Sequence, residues 1–294
     1  RTSPAASCPW TAGACAGCDP PVSLAAAAGL LSCPSCGNPL DLDDHGASCR
    51  AGHRYDAARQ GYLNLLGGPQ PGNADTPPMV AARARVLASG AFDAVDDALA
   101  RRVDDGVTIA DIGGGTGHHL ARLLETHPAA RGVSLDVSVP AAKRAGRVHP
   151  RAAAVVADAW AALPLRSGRF DVVTCVFAPR NIAEFARILR PSGLALIVTP
   201  DKEHLASLRA REGLLDIEEG KADRLLRSLH GRFDAVARHR VRAPLDADAA
   251  LAADLIAMGP NAFHGHHGDV AGVLTEVAVS VWVLRRPGSG APHD

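Results

Sequence analysis

The sequence predicts an α/β protein, a doubly wound parallel sheet preceded by a small cysteine-rich module, and three observations carry that expectation. From Val107 onward, short apolar runs alternate with helix-like segments, the pattern of a parallel sheet covered by helices on both faces. The first run, Val107–Ile112, leads through Gly113-Gly114-Gly115-Thr116-Gly117 to a helix start at His118, so strand, ligand loop and helix N terminus follow one another. Ahead of this block stand Cys33, Cys36, Cys49 and His53 at metal-ligand spacing.

At 294 residues, the chain accommodates one full-sized domain and a smaller one. Its 31 basic and 31 acidic residues balance, which argues against an indiscriminate polybasic nucleic-acid binder but leaves room for one basic face. Lysine occurs only at Lys143, Lys202 and Lys221; so much arginine and alanine reads as a GC-rich coding bias. No stretch approaches the ~20 consecutive apolar residues of a membrane span. The apolar patch from Val22 to Leu31 follows Cys8, Cys15, Cys18 and several prolines rather than a basic region, so it does not read as a signal peptide. Cysteines at metal spacing rather than in scattered pairs suit a reducing compartment, and a cytoplasmic protein is expected.

Taken in order, residues 1–29 lack periodicity and read as a disordered extension. Cys15 and Cys18 form a C-x-x-C pair there, with Cys8 as a third candidate ligand and no histidine following closely. Residues 30–68 are more specific. Cys33-Pro34-Ser35-Cys36 is a knuckle, and Cys49 with His53 supplies one further thiolate and an imidazole, which closes a tetrahedral structural zinc site and leaves no position for water. About 40 residues bury too little apolar surface to fold unaided, so metal binding is expected to supply much of the folding energy. His45, within Asp43-Asp44-His45-Gly46, reads as a turn tip.

Residues 69–90 read as linker and connecting helix, and 91–294 as the larger domain. Gly67–Pro78 holds four prolines and three glycines, a linker composition. Helices are expected at Ala81–Ser89 and Phe92–Val103. Strands are expected at Val107–Ile112, Gly132–Val137, Ala153–Ala157, Phe170–Phe177 and Leu194–Thr199, with helices at His118–Glu125, Pro140–Val148 and Ile182–Leu189. Phe233–Val241 and Glu276–Leu284 alternate apolar and polar residues and fit a terminal pair of strands.

Which ligand the glycines serve is narrowed by elimination. The dinucleotide pattern G-x-G-x-x-G fails because His118 stands where its third glycine belongs, and no G-x-x-x-x-G-K-[ST] occurs. Asp111 to Gly117 reads D-x-G-x-G-x-G and resembles the loop of class I S-adenosylmethionine-dependent methyltransferases at every defining position. That ligand carries no phosphate, so its loop needs no lysine but does need glycines that let backbone approach closely. The resemblance implies a seven-stranded sheet whose last strand is antiparallel.

The tyrosine, glycine and asparagine-leucine run that follows His53, through Gly61-Tyr62-Leu63-Asn64-Leu65-Leu66, adds a second motif. With the zinc spacing and the methyltransferase loop, it resembles the 23S rRNA guanine-N1-methyltransferases, over about residues 30 to 285. Asp75-Thr76, Met79 to Arg83, Val176 to Asn181 and Met258-Gly259-Pro260 continue the likeness. It implies 23S rRNA as partner, a zinc module that recognises RNA, a possible homodimer, and methylation of guanine N1 in a hairpin near the peptide exit tunnel. Gly113 to His119 and Phe177 to Asn181 resemble the macrolide-resistance branch, implying protection against tylosin- or mycinamicin-like drugs.

Ligands of such sheets bind beyond the carboxyl ends of the strands. Asp111, Gly113, Gly115, Thr116, Gly117, His118 and His119 are therefore candidate cofactor contacts, with Asp136 for the ribose hydroxyls, and Asp158 with Ala159 for the adenine. Trp160 and Leu163 suit either the adenine or the core. The segment Phe177, Pro179, Arg180, Asn181 is the candidate acceptor site, Phe177 for stacking on a flipped guanine and Asn181 or Arg180 for its edge; Asn181 as a helix cap is the plainer alternative. Guanine N1 carries a proton at neutral pH, so a general base or proton-accepting group is expected nearby. His118 and His119 are candidates, because a helix N terminus disfavours an imidazolium. Arg83 and Arg85 read as a solvated surface or, by the resemblance, place the first towards cofactor or RNA. His264, His266 and His267 sit among glycines and read as an RNA-facing loop rather than a metal site. Two other functions fit parts of the pattern: a small-molecule methyltransferase, and a non-catalytic zinc-ribbon RNA-binding regulator.

Overall fold

The computed structural model describes residues 24–43, 45–217, 220–229, 231–259, 261–262 and 270–288. Cys8, Cys15 and Cys18, and the loop with His264, His266 and His267, lie outside the described residues. The cysteine-rich part forms a three-stranded antiparallel sheet, β1 (Asp41–Asp43), β2 (Gly46–Ser48) and β3 (Arg54–Asp56). Gly46 permits that pairing, because a Cβ there would lie 2.1 Å from the Tyr55 carbonyl oxygen. A short strand, β4 (Tyr62–Asn64), follows, then α1 (Pro77–Ala88) and α2 (Asp93–Ala100). Pro77 and Pro78 open α1 instead of extending the linker, since proline's fixed φ and missing N–H cost nothing in a first helical turn.

The larger sheet comprises β5 (Thr108–Ile112), β6 (Arg131–Asp136), β7 (Ala152–Val156), β8 (Phe170–Val176), β9 (Leu189–Pro200), β10 (Asp234–Ala247) and β11 (Val273–Arg285). Between them lie α3 (His118–Thr126), α4 (Val139–Ala145), α5 (Ile182–Ile188), α6 (Ala206–Glu212), α7 (Lys221–Ser228) and α8 (Ala249–Ala257). The order across the sheet is β10-β11-β9-β8-β5-β6-β7-β4. Strands β5 to β9 pair in parallel, and β11 inserts antiparallel between β9 and β10. This is the expected class I methyltransferase architecture, with one addition. Strand β4 pairs in parallel with β7 as an eighth strand at the edge, a pairing no local pattern announces in three residues.

Alternation along the strands creates two cores, one on each face of the sheet. In β5, Ile109 packs with Leu120, Leu123 and Leu124 of α3, while Ala110 and Ile112 join Leu135, Phe170 and Phe185 on the other face. That second core also includes Leu31, Cys33, Leu40 and Leu63, so the cysteine-rich module shares its interior with the sheet. Residues Leu24–Ala27, expected as the end of a disordered extension, form a turn of 3-10 helix with Leu24, Ala26 and Ala27 buried. Arg131 Nη1 fixes the turn by donating to the carbonyls of Ala26 and Ala28 at 3.2 Å each.

The strand switch occurs at β5, whose neighbours β6 and β8 continue the chain in opposite directions across the sheet. The crevice above the carboxyl end of β5 is the place for a ligand. Attachment of β4 depends on a close approach at Gly146, the helical-backbone cap of α4 (φ −64°). A Cβ there would lie 2.6 Å from the Gln60 carbonyl oxygen and 2.8 Å from that of Gly61. Gly146→Ala is therefore expected to destabilise the protein by about 1–3 kcal/mol through overpacking, read as a lowered thermal midpoint; an unchanged midpoint would contradict the packing of β4.

Candidate functional site

The β5 strand delivers Asp111 into the sheet interior, where Thr174 of β8 donates to Oδ1 at 2.8 Å. Burial pushes the Asp111 carboxyl up, opposed by that hydrogen bond. Its other oxygen and the Ser134 hydroxyl crowd the next turn of chain. A Cβ on Gly114 would lie 2.3 Å from Asp111 Oδ2 and 2.2 Å from Ser134 Oγ. Gly113 and Gly115 have positive φ, and a Cβ on Gly113 would meet Ala178 Cβ at 2.3 Å. Gly117, at φ 77°, is the N-cap of α3, and its Cβ would press on Val148 and Ala145. Thr116 is buried between these glycines.

Asp136 grips the same loop from β6. Its Oδ2 accepts the Gly115 N–H at 2.9 Å and its Oδ1 the Ser138 N–H at 2.8 Å. Burial pushes this carboxyl up against those two bonds. Each carboxylate oxygen retains a second lone pair for a ligand. Asp158 follows β7 and accepts the Trp160 N–H at 2.8 Å; Ala159 and Leu163 beside it are buried, while Trp160 is 67% exposed.

His118 and His119 are taken up by a partner no motif announced. Asp96 of α2 is buried, with Oδ1 at 2.6 Å from His119 Nδ1 and Oδ2 at 3.0 Å from His118 Nε2. Burial pushes the Asp96 carboxyl up, but the two imidazoles outweigh it and hold it well below the usual carboxylate range. An ionised carboxylate only accepts, so both facing nitrogens donate. The pair ties α3 to α2, and of the two histidines only His119 borders the central cavity.

At the end of β8 the backbone is strained. Phe177 has φ 54°, an uncommon left-handed conformation for an aromatic residue that costs on the order of 1–3 kcal/mol. The residue is 43% exposed, and its ring packs against Phe92 at 5.9 Å and His204 at 5.4 Å between centroids. Pro179 is exposed, and its carbonyl receives the Cys175 thiol; burial pushes that thiol up to about 12. Arg180 has no hydrogen bond among the described residues. Asn181 caps α5, its Oδ1 accepting from the Glu184 N–H, and its amide nitrogen donates to the carbonyls of Trp160 and Ala161 at 3.2 Å each. The capping alternative thus describes Asn181 as folded, and the side chain fastens the Asp158 loop to α5.

A cavity of about 310 Å³ joins these parts. It runs from Gly113–Gly115 past Phe177 to His204, with Arg83 and Asn261 on its wall. Arg83 pairs with Asp75 and donates to the Met258 carbonyl at 2.7 Å. Among the described residues no carboxylate lines the cavity, and of the two histidines named as candidate proton acceptors His119 does. His204 went unnoticed in the sequence because Asp201-Lys202-Glu203-His204 forms no motif; its position just past a strand's carboxyl end was the available signal.

In the small module, Cys33, Cys36, Cys49 and His53 converge, with their ligand atoms within 4.8 Å of one another. A tetrahedral ion with bonds of about 2.3 Å to sulfur and about 2.0 Å to nitrogen requires ligand separations of about 3.8 Å (S to S) and about 3.5 Å (S to N). The observed separations are 3.7 Å for Cys36–Cys49, and 3.5 and 3.4 Å from His53 Nδ1 to Cys33 and Cys49. Burial pushes the Cys33 thiol up, but the Tyr55 hydroxyl and the Ser35 and Cys36 N–H groups outweigh it and bring it down to about 6. The donor set and its spacing fit a closed structural zinc site.

Comparison with known proteins agrees on both parts. A zinc-ribbon family model described as RlmA, N-terminal, matches residues 31–69, and a methyltransferase domain model matches residues 109–193. A 23S rRNA (guanine(748)-N(1))-methyltransferase of Streptomyces fradiae is 46% identical over 253 residues, covering 84% of this chain and 90% of that protein. The chain belongs to the 23S rRNA (guanine-N1)-methyltransferase family. A Micromonospora griseorubida protein provisionally given the same guanine-N1 role is 45% identical over 258 residues, or 80% of this chain and 87% of its own length. A ubiquinone/menaquinone C-methyltransferase of Paracoccus denitrificans is 37% identical over only 118 residues, 36% of this chain and 46% of its own.

As a member of that family this chain is an S-adenosylmethionine-dependent enzyme, and the glycine loop fits its cofactor. Side chains at Gly113 or Gly114 would close the backbone approach that the loop provides. Two tests follow. Gly114→Ala should lower S-adenosylmethionine affinity by at least ~10-fold in calorimetry, and unchanged affinity would show that the cofactor lies elsewhere. Cys36→Ser should abolish stoichiometric zinc in elemental analysis and, like chelation of the parent protein, lower the thermal midpoint, since structural zinc contributes folding energy of about 10 kcal/mol or more.

Proposed function

We propose that this protein transfers a methyl group from S-adenosylmethionine to N1 of a guanine in a 23S rRNA hairpin near the peptide exit tunnel, in the cytoplasm, and thereby protects ribosomes against tylosin- or mycinamicin-like macrolides. The observation that carries the reading is that one cavity is lined by both the glycine loop and Phe177. A cofactor on the loop and a base on Phe177 would share one space.

S-Adenosylmethionine supplies an electrophilic methyl group on a positively charged sulfur. Asp136 would hold the ribose hydroxyls through its remaining lone pairs, and Asp158 the adenine amino group. Arg83, whose Nη1 would lie 3.3 Å from a Cβ on Gly115, would face the carboxylate of the amino acid part. Phe177 would stack on the flipped guanine, a contact worth about 1–3 kcal/mol per base. The arrangement works chiefly by alignment, holding acceptor nitrogen and methyl carbon in line.

The module at residues 31–69 favours RNA over a small acceptor. The quinone-methylating relative shares 36% of this chain, whereas the rRNA-methylating relative aligns over 84% of it. The macrolide-protection branch of the proposal rests on the Gly113–His119 and Phe177–Asn181 segments. Incubation of the purified protein with labelled cofactor and 23S rRNA from an unmodified strain should place one methyl on a hairpin guanine, mapped by primer extension, and expression in a sensitive host should raise tylosin tolerance. Labelling of a small molecule but not of the RNA would reject the reading.

A further inference from the structure

The described lining of the acceptor cavity is notable for its donors. Arg83, Arg209, Asn261 and His204 supply N–H groups; the carboxylates that pair with Arg83 and Arg209, Asp75 and Asp216, lie outside the lining. His204 is the one whose proton position the fold itself determines. Its Nδ1 lies 3.2 Å from the Ala278 nitrogen of β11. A backbone N–H can only donate, so Nδ1 accepts and the ring proton of a neutral imidazole resides on Nε2. The ring is held further by its own backbone: its N–H donates to the Asp201 carbonyl at 2.9 Å, and the next N–H, of Leu205, to Glu276 at 2.8 Å. Tilted 34° against Phe177 at 5.4 Å, it stands beside the ring expected to carry the base. Among the described residues Nε2 has no hydrogen-bond partner. Burial, and then the nearby Arg209, push the imidazole down to about 4 against the pull of Asp201, so the neutral donor form persists at neutral pH.

We propose that His204 is a catalytic hydrogen-bond donor whose Nε2–H binds O6 of the target guanine and stabilises the negative charge that reaches O6 when N1 loses its proton. This rests on the guanine-N1 reading above. On the Watson–Crick edge, N1 lies between an acceptor, O6, and a donor amino group, so a fixed donor next to the stacked base selects the O6 side. The balance of the step is simple. The N1 proton leaves to water, its electron pair remains on the ring and is shared between N1 and O6, that pair forms the N1–methyl bond, and the carbon–sulfur pair stays on sulfur. A donor at O6 lowers the cost of the first event and thus replaces a carboxylate base by oxyanion stabilisation.

His204→Asn and His204→Gln separate the roles. The Asn carbonyl can still accept from Ala278 but nothing reaches the Nε2 position, whereas the Gln amide places an N–H near it. His204→Asn is expected to lower kcat by about 10²-fold, with the KM for RNA changed by less than about 3-fold and the thermal midpoint retained; His204→Gln should recover part of kcat. With 6-thioguanine at the target position, whose sulfur accepts hydrogen bonds poorly, the parent-to-Asn ratio of kcat should contract. Independently of turnover, nitrogen NMR of the full chain should show His204 as the Nε2–H tautomer, with that proton shifting downfield on addition of the RNA hairpin. An Nδ1–H tautomer, or an equal kcat ratio on the oxygen and sulfur substrates, overturns the proposal. If the parent enzyme methylates guanine N1 and His204→Asn is unimpaired, the His204 assignment alone fails; if the parent methylates no guanine N1, the functional reading fails and takes this inference with it.

Discussion

The site depends on a place where side chains are excluded. At Gly114 the space a methyl would occupy is already filled by Asp111 Oδ2 and Ser134 Oγ, and at Gly113 by Ala178. The loop therefore runs directly over the ends of β5 and β6 and beside the segment after β8. Its position is imposed by hydrogen bonds from the sheet: Gly113 and Gly114 both donate to Leu135 O, at 2.7 and 3.1 Å, and Gly115 to Asp136. A backbone surface held this rigidly is available to a ligand without rearrangement, which limits the entropy lost on binding.

The segment after β8 is built outward from that loop. Ala178, which packs against Gly113, is adjacent to the left-handed Phe177, so close packing at the glycine loop and backbone strain at an aromatic ring occur in consecutive residues. Strain of this kind persists only where surrounding structure over-determines it, and here Phe92 and His204 brace the ring. Asn181 and Glu184 secure the Asp158 loop to α5, through the Trp160 and Ala161 carbonyls and the Leu163 N–H. Asn181, a candidate contact for the edge of the base, thus also holds the loop beside it.

The cysteine-rich module is continuous with this scaffold. Leu31 bridges to Leu165, β4 joins β7, and Cys33 lies in the same apolar cluster as Leu135 and Phe170. A metal that organises Cys33 thereby also organises an edge of the sheet, and the burial of that edge helps a module too small to fold by its own apolar content.

The sequence by itself determined the elements whose signal is local. Strand and helix periodicity gave the parallel sheet because burial on two faces writes itself into each run; the glycine spacing identified the loop because glycine adopts positive φ without strain and leaves room for such contact; and C-x-x-C with C-x-x-x-H named four ligands that do converge. Asp136, expected at a strand end, does end β6 and bonds the glycine loop. What the tertiary structure alone decided are pairings between distant residues with no pattern of their own: β4 against β7, Asp96 with His118 and His119, Asn181 with the Trp160 loop, and the Ala278 N–H on His204. Hydrogen-bond partners far apart in the chain are selected by geometry after the sheet has formed, and a three-residue strand or a single histidine in a charged stretch carries too little periodicity to show where it will be placed.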